Sequence, residues 1–281
     1  MHEAVNIEIL KSSGERAQFS LDKLRNSLKH SGADHKVVEK IVDKVKDELY
    51  EGISTTEIYN RAFALLKKNK SIFASKYKLK KALYELGPTG FPFERLVAAI
   101  LEYSGYHTRV DEIMNGICVT HEIDVIAEKN GTITIIECKF HSEEGRNCNV
   151  KIPLYIHSRY KDVKAHWETK KSETKKMDIG WVVTNTRFTA DAIAYGKCAD
   201  LYLLSWDLPP NDGIKDRIDR LGLYPITVST LLSNREKQFL LGRDVVLCRQ
   251  LWKDKFFLDH MGISNTRKEK ILEEIKQLCN Q

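Results

Sequence analysis

Proline and cysteine are scarce in this chain, six of each in 281 residues. The cysteines (Cys118, Cys138, Cys148, Cys198, Cys248 and Cys279) are scattered and form no C-x-x-C pair. That spacing excludes a zinc knuckle and gives no support to a disulfide framework; single cysteines suit a reducing cytoplasm. No apolar run approaches the roughly 20 residues that span a bilayer. The stretch Met1–Asn6 lacks the basic flank and apolar core of a signal peptide. No segment is of low complexity, no repeat is evident, and G-x-x-x-x-G-K-[ST] occurs nowhere, which argues against an ATP-hydrolysing motor. A soluble cytoplasmic protein without a membrane partner is expected.

The length suits two or three modest domains, and a hydrophobic fraction of 42% is compatible with packed cores. A net charge of +6 with a pI near 8.8 mildly favours a polyanionic partner without identifying one. Gly87-Pro88-Thr89-Gly90 marks a sharp boundary and Leu208–Gly213 a softer one. The expected segments are 1–87, 91–209 and 213–281.

The first segment opens with strand-like runs Val5–Leu10 and Arg16–Phe19 about a Ser12-Ser13-Gly14 turn. Helical patterns follow, one capped by Ser20, one with the stripe Val37, Ile41, Val45 and Leu49, and one behind a capping box Ser54–Glu57. A fourth helix is predicted over roughly Phe73–Leu86. The second segment reads as a helix at Phe91–Tyr103, strands at Tyr106–Val110, Ile117–Ala127 and Thr132–Phe140, and a helix over Lys151–Thr169. A strand at Ile179–Thr184, a helix at Thr189–Cys198 and a strand at Leu201–Leu204 complete it. The third segment is helical and charged. The predicted class is α/β (α+β): a hairpin-plus-helical module, a mixed sheet flanked by helices, and a small helical tail.

Asp124 lies in the second predicted strand of the middle segment, and Glu137 and Lys139 lie in the third. Asn130-Gly131 between them is a strong hairpin signal, so Asp124 should stand near Glu137. Strand alternation puts Glu137 and Lys139 on one face, with Ile136 and Cys138 on the other; Ile123 and Val125 are likewise expected to face away from Asp124. Two carboxylates can hold a hard divalent cation such as Mg²⁺ or Mn²⁺, and a lysine beside them can steady an attacking water or a developing phosphorane charge. Charged groups among apolar strand residues are costly unless used or paired. Glu94, on the preceding helix, is either a further converging carboxylate or a solvated helix residue. Tyr155 and Arg159, four apart on the next helix, share a face and serve either nucleic-acid contact or packing.

From Phe91 to about Pro209 the chain resembles the Mrr-like branch of the PD-(D/E)XK restriction-endonuclease superfamily. The matching residues are Phe93–Val97 with Gly105-Tyr106, then Glu122–Val125, Glu137–Phe140, and Val182–Thr189 with Ala192 and Ala194. Members often carry Gln where this chain has Glu137, the more usual superfamily residue. The resemblance implies metal at Asp124 and Glu137, with the Cys138 carbonyl a further ligand, and Lys139 as the catalytic cation.

Val5–Leu86 resembles the ATP-cone domain, a nucleotide-sensing module. The match runs through Ile7–Gly14, Phe19–Leu24, Ile53–Tyr59 and Ala74–Ala82. It implies an adenine nucleotide, ATP or dATP, held by Lys11 and Lys23 with the turn amides, and lined by Thr55 and Tyr59. The family's usual Lys-Arg-Asp-Gly is Lys11-Ser12-Ser13-Gly14 here, which removes a bidentate phosphate ligand.

Gly262-Ile263-Ser264 between two helical patterns has the form of a helix-hairpin-helix turn, with Arg267, Lys268 and Lys270 beyond it. DNA binding and plain helical packing or dimerisation are both open. The combined expectation is a Mg²⁺-dependent DNA endonuclease regulated by adenine nucleotide and assembling as a homo-oligomer. The rival is a non-catalytic, nucleotide-responsive nucleic-acid-binding or assembly protein that keeps a nuclease fold.

Overall fold

The computed structural model describes residues 6–170 and 175–279. Val5 of the first expected strand, Met1–Ala4, and the last two residues of the third segment therefore lie outside the described residues. A hairpin of β1 (Glu8–Leu10) and β2 (Arg16–Gln18) leads into α1 (Leu21–His30), α2 (His35–Asp47) and α3 (Thr55–Asn69). Local chemistry sets these starts: Ser20, Asp34 and Ser54 each accept a hydrogen bond from the backbone three residues on. The expected Ser54–Glu57 capping box is half made. Ser54 Oγ accepts from Glu57 N at 3.0 Å, while the Glu57 carboxylate accepts from Tyr50 and Arg61. The predicted fourth helix is two, α4 (Ser71–Tyr77) and α5 (Leu79–Tyr84), divided at Lys78. The division follows packing. Ala74 lies in the module's own core with Leu28, Val38 and Ile53, whereas Leu79, Ala82, Leu83 and Leu86 join the core of the remainder.

That second core is organised by a mixed sheet. α6 (Phe91–Glu102) precedes β3 (His107–Asn115), β4 (Thr120–Lys129) and β5 (Thr132–Lys139). Then come α7 (Lys151–Thr169), β6 (Lys176–Met177), β7 (Trp181–Thr184), α8 (Ala190–Cys198) and β8 (Tyr202–Leu204). The order is β3-β4-β5-β7-β8, with β6 pairing β5; β3, β4 and β5 are antiparallel, and β6, β7 and β8 run parallel to their neighbours. Asn130 and Gly131 both have positive φ, 53° and 75°, the requirement of a two-residue hairpin. The strands expected at Tyr106–Val110 and Ile117–Ala127 are one long hairpin, because Glu112–Asn115 pairs as well.

α6 covers one face of the sheet and α7 the other. On the α6 side lie α9 (Ile214–Leu221), a 3₁₀ turn (Ile226–Val228), α10 (Asn234–Leu241), α11 (Cys248–Lys253), α12 (Phe256–His260) and α13 (Asn265–Cys279). Buried polar bonds join this tail to the N-terminal module. The Glu274 carboxylate of α13 accepts from Ser75 Oγ of α4 at 2.6 Å, from Ser229 Oγ at 2.5 Å, and from Thr230 N and Oγ1 at 3.0 Å. Lys78 donates to the Thr227 carbonyl, and Thr227 Oγ1 to the Ala82 carbonyl. Among the described residues no helix is long and apolar enough to cross a membrane.

Candidate active site

The site forms where the β4–β5 ladder ends. Pairing stops at Val125↔Ile136, one step short of Asp124 and Glu137, which the same register would set opposite each other. In place of a ladder bond, Asp124 Oδ2 accepts from Cys138 N at 2.6 Å. Asp124 also sits at a break in strand phase. Asp111, its counterpart on β3, has φ +58°, and the β3–β4 register passes from Val110↔Val125 to Glu112↔Ile123 without pairing these two. Beyond the kink the faces exchange: Val125 packs with Ile136 and Cys138 beneath α6, whereas Ile123 packs with Ile126, Ile133 and Ile135 beneath α7. The expectation that Ile123 and Val125 share a face is thereby corrected. A left-handed residue inside a strand breaks the alternation on which it rested.

Five carboxylates crowd this end of the sheet. Burial, together with the charges of Asp124, Asp111, Glu137 and Glu122, raises Glu94 from its ordinary 4.5 to about 7. Glu137 is likewise lifted to about 7 by burial and by Asp124, against the pull of Arg159 and Lys139. Asp124 is raised by burial despite its bond from Cys138 N. The Cys138 thiol is buried on the opposite side of the strand and packs in the α6 core; only its backbone reaches the site.

Arg159, expected as a nucleic-acid ligand, is here the counter-ion of Glu137. Its Nη1 donates to Glu137 Oε2 and, at 3.2 Å, to the Glu122 carbonyl; its Nη2 donates to Tyr155 Oη at 2.8 Å. The guanidinium lies 4.9 Å from the centroid of the Tyr155 ring, which is 57% exposed. Two supporting residues were not singled out from sequence. Asp162 accepts from Cys118 N, Val119 N and His121 Nε2, pinning the β3–β4 hairpin to α7, and His121 above all holds its carboxyl well below the usual range. Asn185 clamps the backbone of His141, accepting from His141 N at 2.9 Å and donating to its carbonyl at 2.7 Å. A carboxylate or amide whose partners all lie some forty residues away leaves no local sequence signal. A cavity of about 410 Å³, lined by Arg95, Glu102, Arg109, Glu112 and Gln250 among others, includes none of the site carboxylates.

The donor set fits a hard divalent cation. Mg²⁺ is commonly held through one or two carboxylates, with water completing its shell, and Asp124 and Glu137 are two carboxylates short of positive charge. Among the described residues no group of three or more His, Cys, Asp and Glu side chains stands at metal-holding distance, and Glu94 adds its negative field to that of the pair. The crowding has a measurable cost. Glu94 binds its proton more tightly folded than unfolded, so stability falls as pH rises from about 4.5 to about 7. With metal chelated, Glu94→Gln should stabilise the protein at pH 8 by on the order of 2 kcal/mol, the full shift being discounted for solvent, and raise Tm by about 4–8 °C. The gain should vanish near pH 4.5. Equal melting curves at pH 8 would mean that neither burial nor the neighbouring carboxylates penalise a charged Glu94.

Comparison with known proteins bears out both resemblances. The ATP cone domain matches residues 7–84, the restriction endonuclease domain residues 88–207, and the AF1548-like C-terminal domain residues 224–279. An Archaeoglobus fulgidus protein, named only "Uncharacterized protein", is 31% identical over 185 residues, which are 65% of this chain and 99% of that one. The crystal structure titled "Protein of Unknown Function AF1548" superposes with a TM-score of 0.55 at 30% identity, over 68% of this chain and 98% of the other. The chain belongs to the AF1548-like family.

In the ATP cone domain of this AF1548-like protein the hairpin and α3 meet. Leu10 N donates to the Ile53 carbonyl and Leu10 bridges Ser54, which sets Lys11 beside the start of α3, where Thr55 follows the cap. Lys11 Nζ pairs with Glu15 at 3.0 Å across the turn, and Lys23 is exposed in the first turn of α1. Tyr59 is stacked on Tyr77, with ring centroids 5.1 Å apart, and burial raises its hydroxyl. In the AF1548-like C-terminal domain the turn at Gly262 does join α12 to α13, with φ +68°. Two of its three expected phosphate ligands are occupied, however. Arg267 bonds both Glu236 oxygens and the Leu231 carbonyl, and Lys268 bonds both Asp259 oxygens. Lys270 is exposed.

Proposed function

We propose that this protein is a metal-dependent endonuclease that hydrolyses DNA phosphodiester bonds under the control of an adenine nucleotide bound to its ATP cone domain. The observation that carries this reading is the meeting of Asp124, Glu137 and Lys139 at one strand end, within a domain matched by the restriction endonuclease family. Asp124 and Glu137 would hold the Mg²⁺ or Mn²⁺, with the Cys138 main chain beside them. Such an ion, when bound, acidifies a water and neutralises charge on the phosphoryl oxygens. Lys139, on the same strand face as Glu137, supplies a fixed positive charge to the phosphorane oxygens or orients the attacking water. Cys138 N holds the Asp124 carboxylate in place, and Arg159 holds that of Glu137. In the N-terminal module Lys11, Lys23, Thr55 and Tyr59 would receive ATP or dATP, and nucleotide would shift assembly of a homo-oligomer.

The deciding experiment incubates the protein with plasmid DNA, Mg²⁺ or Mn²⁺, and each adenine nucleotide in turn. Nicking or linearisation that needs metal supports the reading. Tight DNA binding without cleavage under every condition would favour a non-catalytic binder with a nuclease fold.

The tail offers a separate check on the DNA partner. Each phosphate contact contributes about 0.9 to the log–log dependence of affinity on salt. Lys270→Ala should lower that slope by about 0.9, whereas Arg267→Ala, which breaks the Glu236 pair, should lower stability and leave the slope unchanged. An unchanged slope in Lys270→Ala would assign the tail to structure alone.

A further inference from the structure

Strand β5 ends at Lys139, and the chain beyond it runs on against the N-terminal module. Phe140 follows Lys139 directly, and its ring packs so closely on the Gly87–Gly90 joint that a Cβ at Gly87 would stand 2.6 Å from it. His141 is clamped by Asn185. At the far side Cys148 is buried and anchored, its N donating to the Arg187 carbonyl at 2.8 Å and its carbonyl accepting from Thr189 N at 3.0 Å. Between these anchors the six residues Ser142–Asn147 are exposed.

The middle of that loop rests on the ATP cone hairpin. Gly145 has φ +84°, and a Cβ on it would lie 3.2 Å from Ser13 N and 3.3 Å from Ser13 Cα. Glycine suits both this left-handed backbone and this approach, since a Cβ would press on the Ser12–Ser13 turn. Glu144 beside it is near enough to add to the burial that raises Tyr59 and Tyr84, and to offset the burial that lowers Lys80. The loop backbone therefore lies against the turn, with the Glu144 charge within electrostatic reach of Tyr59, Tyr84 and Lys80.

We infer that Ser142–Asn147 is a displaceable cover on the nucleotide site, competing with nucleotide phosphate for the Ser12–Ser13 turn, and that its displacement carries the state of that site to Lys139 through Phe140. The inference rests on the proposed nucleotide binding, and it assigns the coupling to a contact within one chain. Glu144 takes the place of a phosphate while the site is free. Because the two compete, the coupling is reciprocal: nucleotide loosens the loop by the same factor by which the loop weakens nucleotide.

The test is hydrogen–deuterium exchange on the full-length protein with ATP and with dATP, paired with calorimetry on wild type, Glu144→Gln and Gly145→Ala. An ordinary ligand slows exchange where it binds. Here residues 11–14 should slow, while amides of 142–147 exchange at least about 5-fold faster, a factor within the usual range of coupling. Both variants should bind nucleotide at least about 5-fold more tightly than wild type, and binding seen only in the variants supports the same competition. Nucleotide that binds while 142–147 slows or stays unchanged would overturn the cover and leave the nucleotide reading standing. No binding by wild type or by either variant at millimolar nucleotide would overturn both.

Discussion

Asp124→Ala, Glu137→Ala and Lys139→Ala are each expected to lower metal-dependent DNA cleavage by at least about 10³-fold, because residues that act as a unit in a transition state lose nearly the whole effect singly. The three should differ in their effect on the fold. Asp124→Ala removes the acceptor of Cys138 N and leaves that amide without its bond at the end of the ladder. Glu137→Ala leaves the Arg159 guanidinium half-buried without its counter-ion, so Glu137→Gln is the better companion, keeping an acceptor while removing the charge. Lys139→Ala should alter melting least. Single-turnover cleavage rates beside melting curves separate the two effects. Wild-type rates in any two of these variants would remove the assignment of the centre.

Glu274→Ala is expected to cost about 3 kcal/mol, the range found when one partner of a buried charged network is removed. Glu274 is 4% exposed and its carboxylate accepts from Ser75, Ser229 and Thr230; its loss leaves the Ser229 and Thr230 hydroxyls and the Thr230 amide without that acceptor, while Ser75 Oγ keeps the Ser71 carbonyl. Glu274 is also the tie between α4 of the N-terminal module and α13 of the tail. Denaturant unfolding should therefore shift to a lower midpoint and spread, with the module's own core of Leu28, Val38 and Ile53 separating from the rest. A single sharp transition at the wild-type midpoint would show that the tie carries no stability. Glu274→Gln, which keeps the acceptor, should recover part of the loss.

What the sequence disclosed, it disclosed through short-range chemistry. Ser20, Ser54 and Thr189 cap helices within three residues of themselves, and Asn130-Gly131 demands a turn wherever it stands, so the approach of Asp124 to Glu137 followed from local rules. What stayed hidden depends on partners far along the chain. The left-handed Asp111 exchanges the faces of β4, and no alternation count anticipates it. Arg159 reads as a surface cation until α7 crosses beneath Glu137. Arg267 and Lys268 read as a basic patch until Glu236 and Asp259 arrive from other helices. Leu79 and Leu83 fall in what reads as one helix over Phe73–Leu86, yet they pack in the core of the remainder rather than in that of the module before them.

The attachment of α4 to α13 bears on the mechanics of the whole molecule. A module fastened to its neighbour by a covalent joint alone can swing and twist about that joint in every direction the linker permits. This one is also held at the Ser75–Glu274 bond and at the bonds of Thr227 with Lys78 and Ala82, and its helix α5 packs in the core of the remainder. A body held at several separate points has no free hinge. The seating of Gly145 on the Ser12–Ser13 turn is made on the hairpin, apart from these ties. A displacement at that turn is therefore taken up within the hairpin and its loop, while α4 and α5 stay in place.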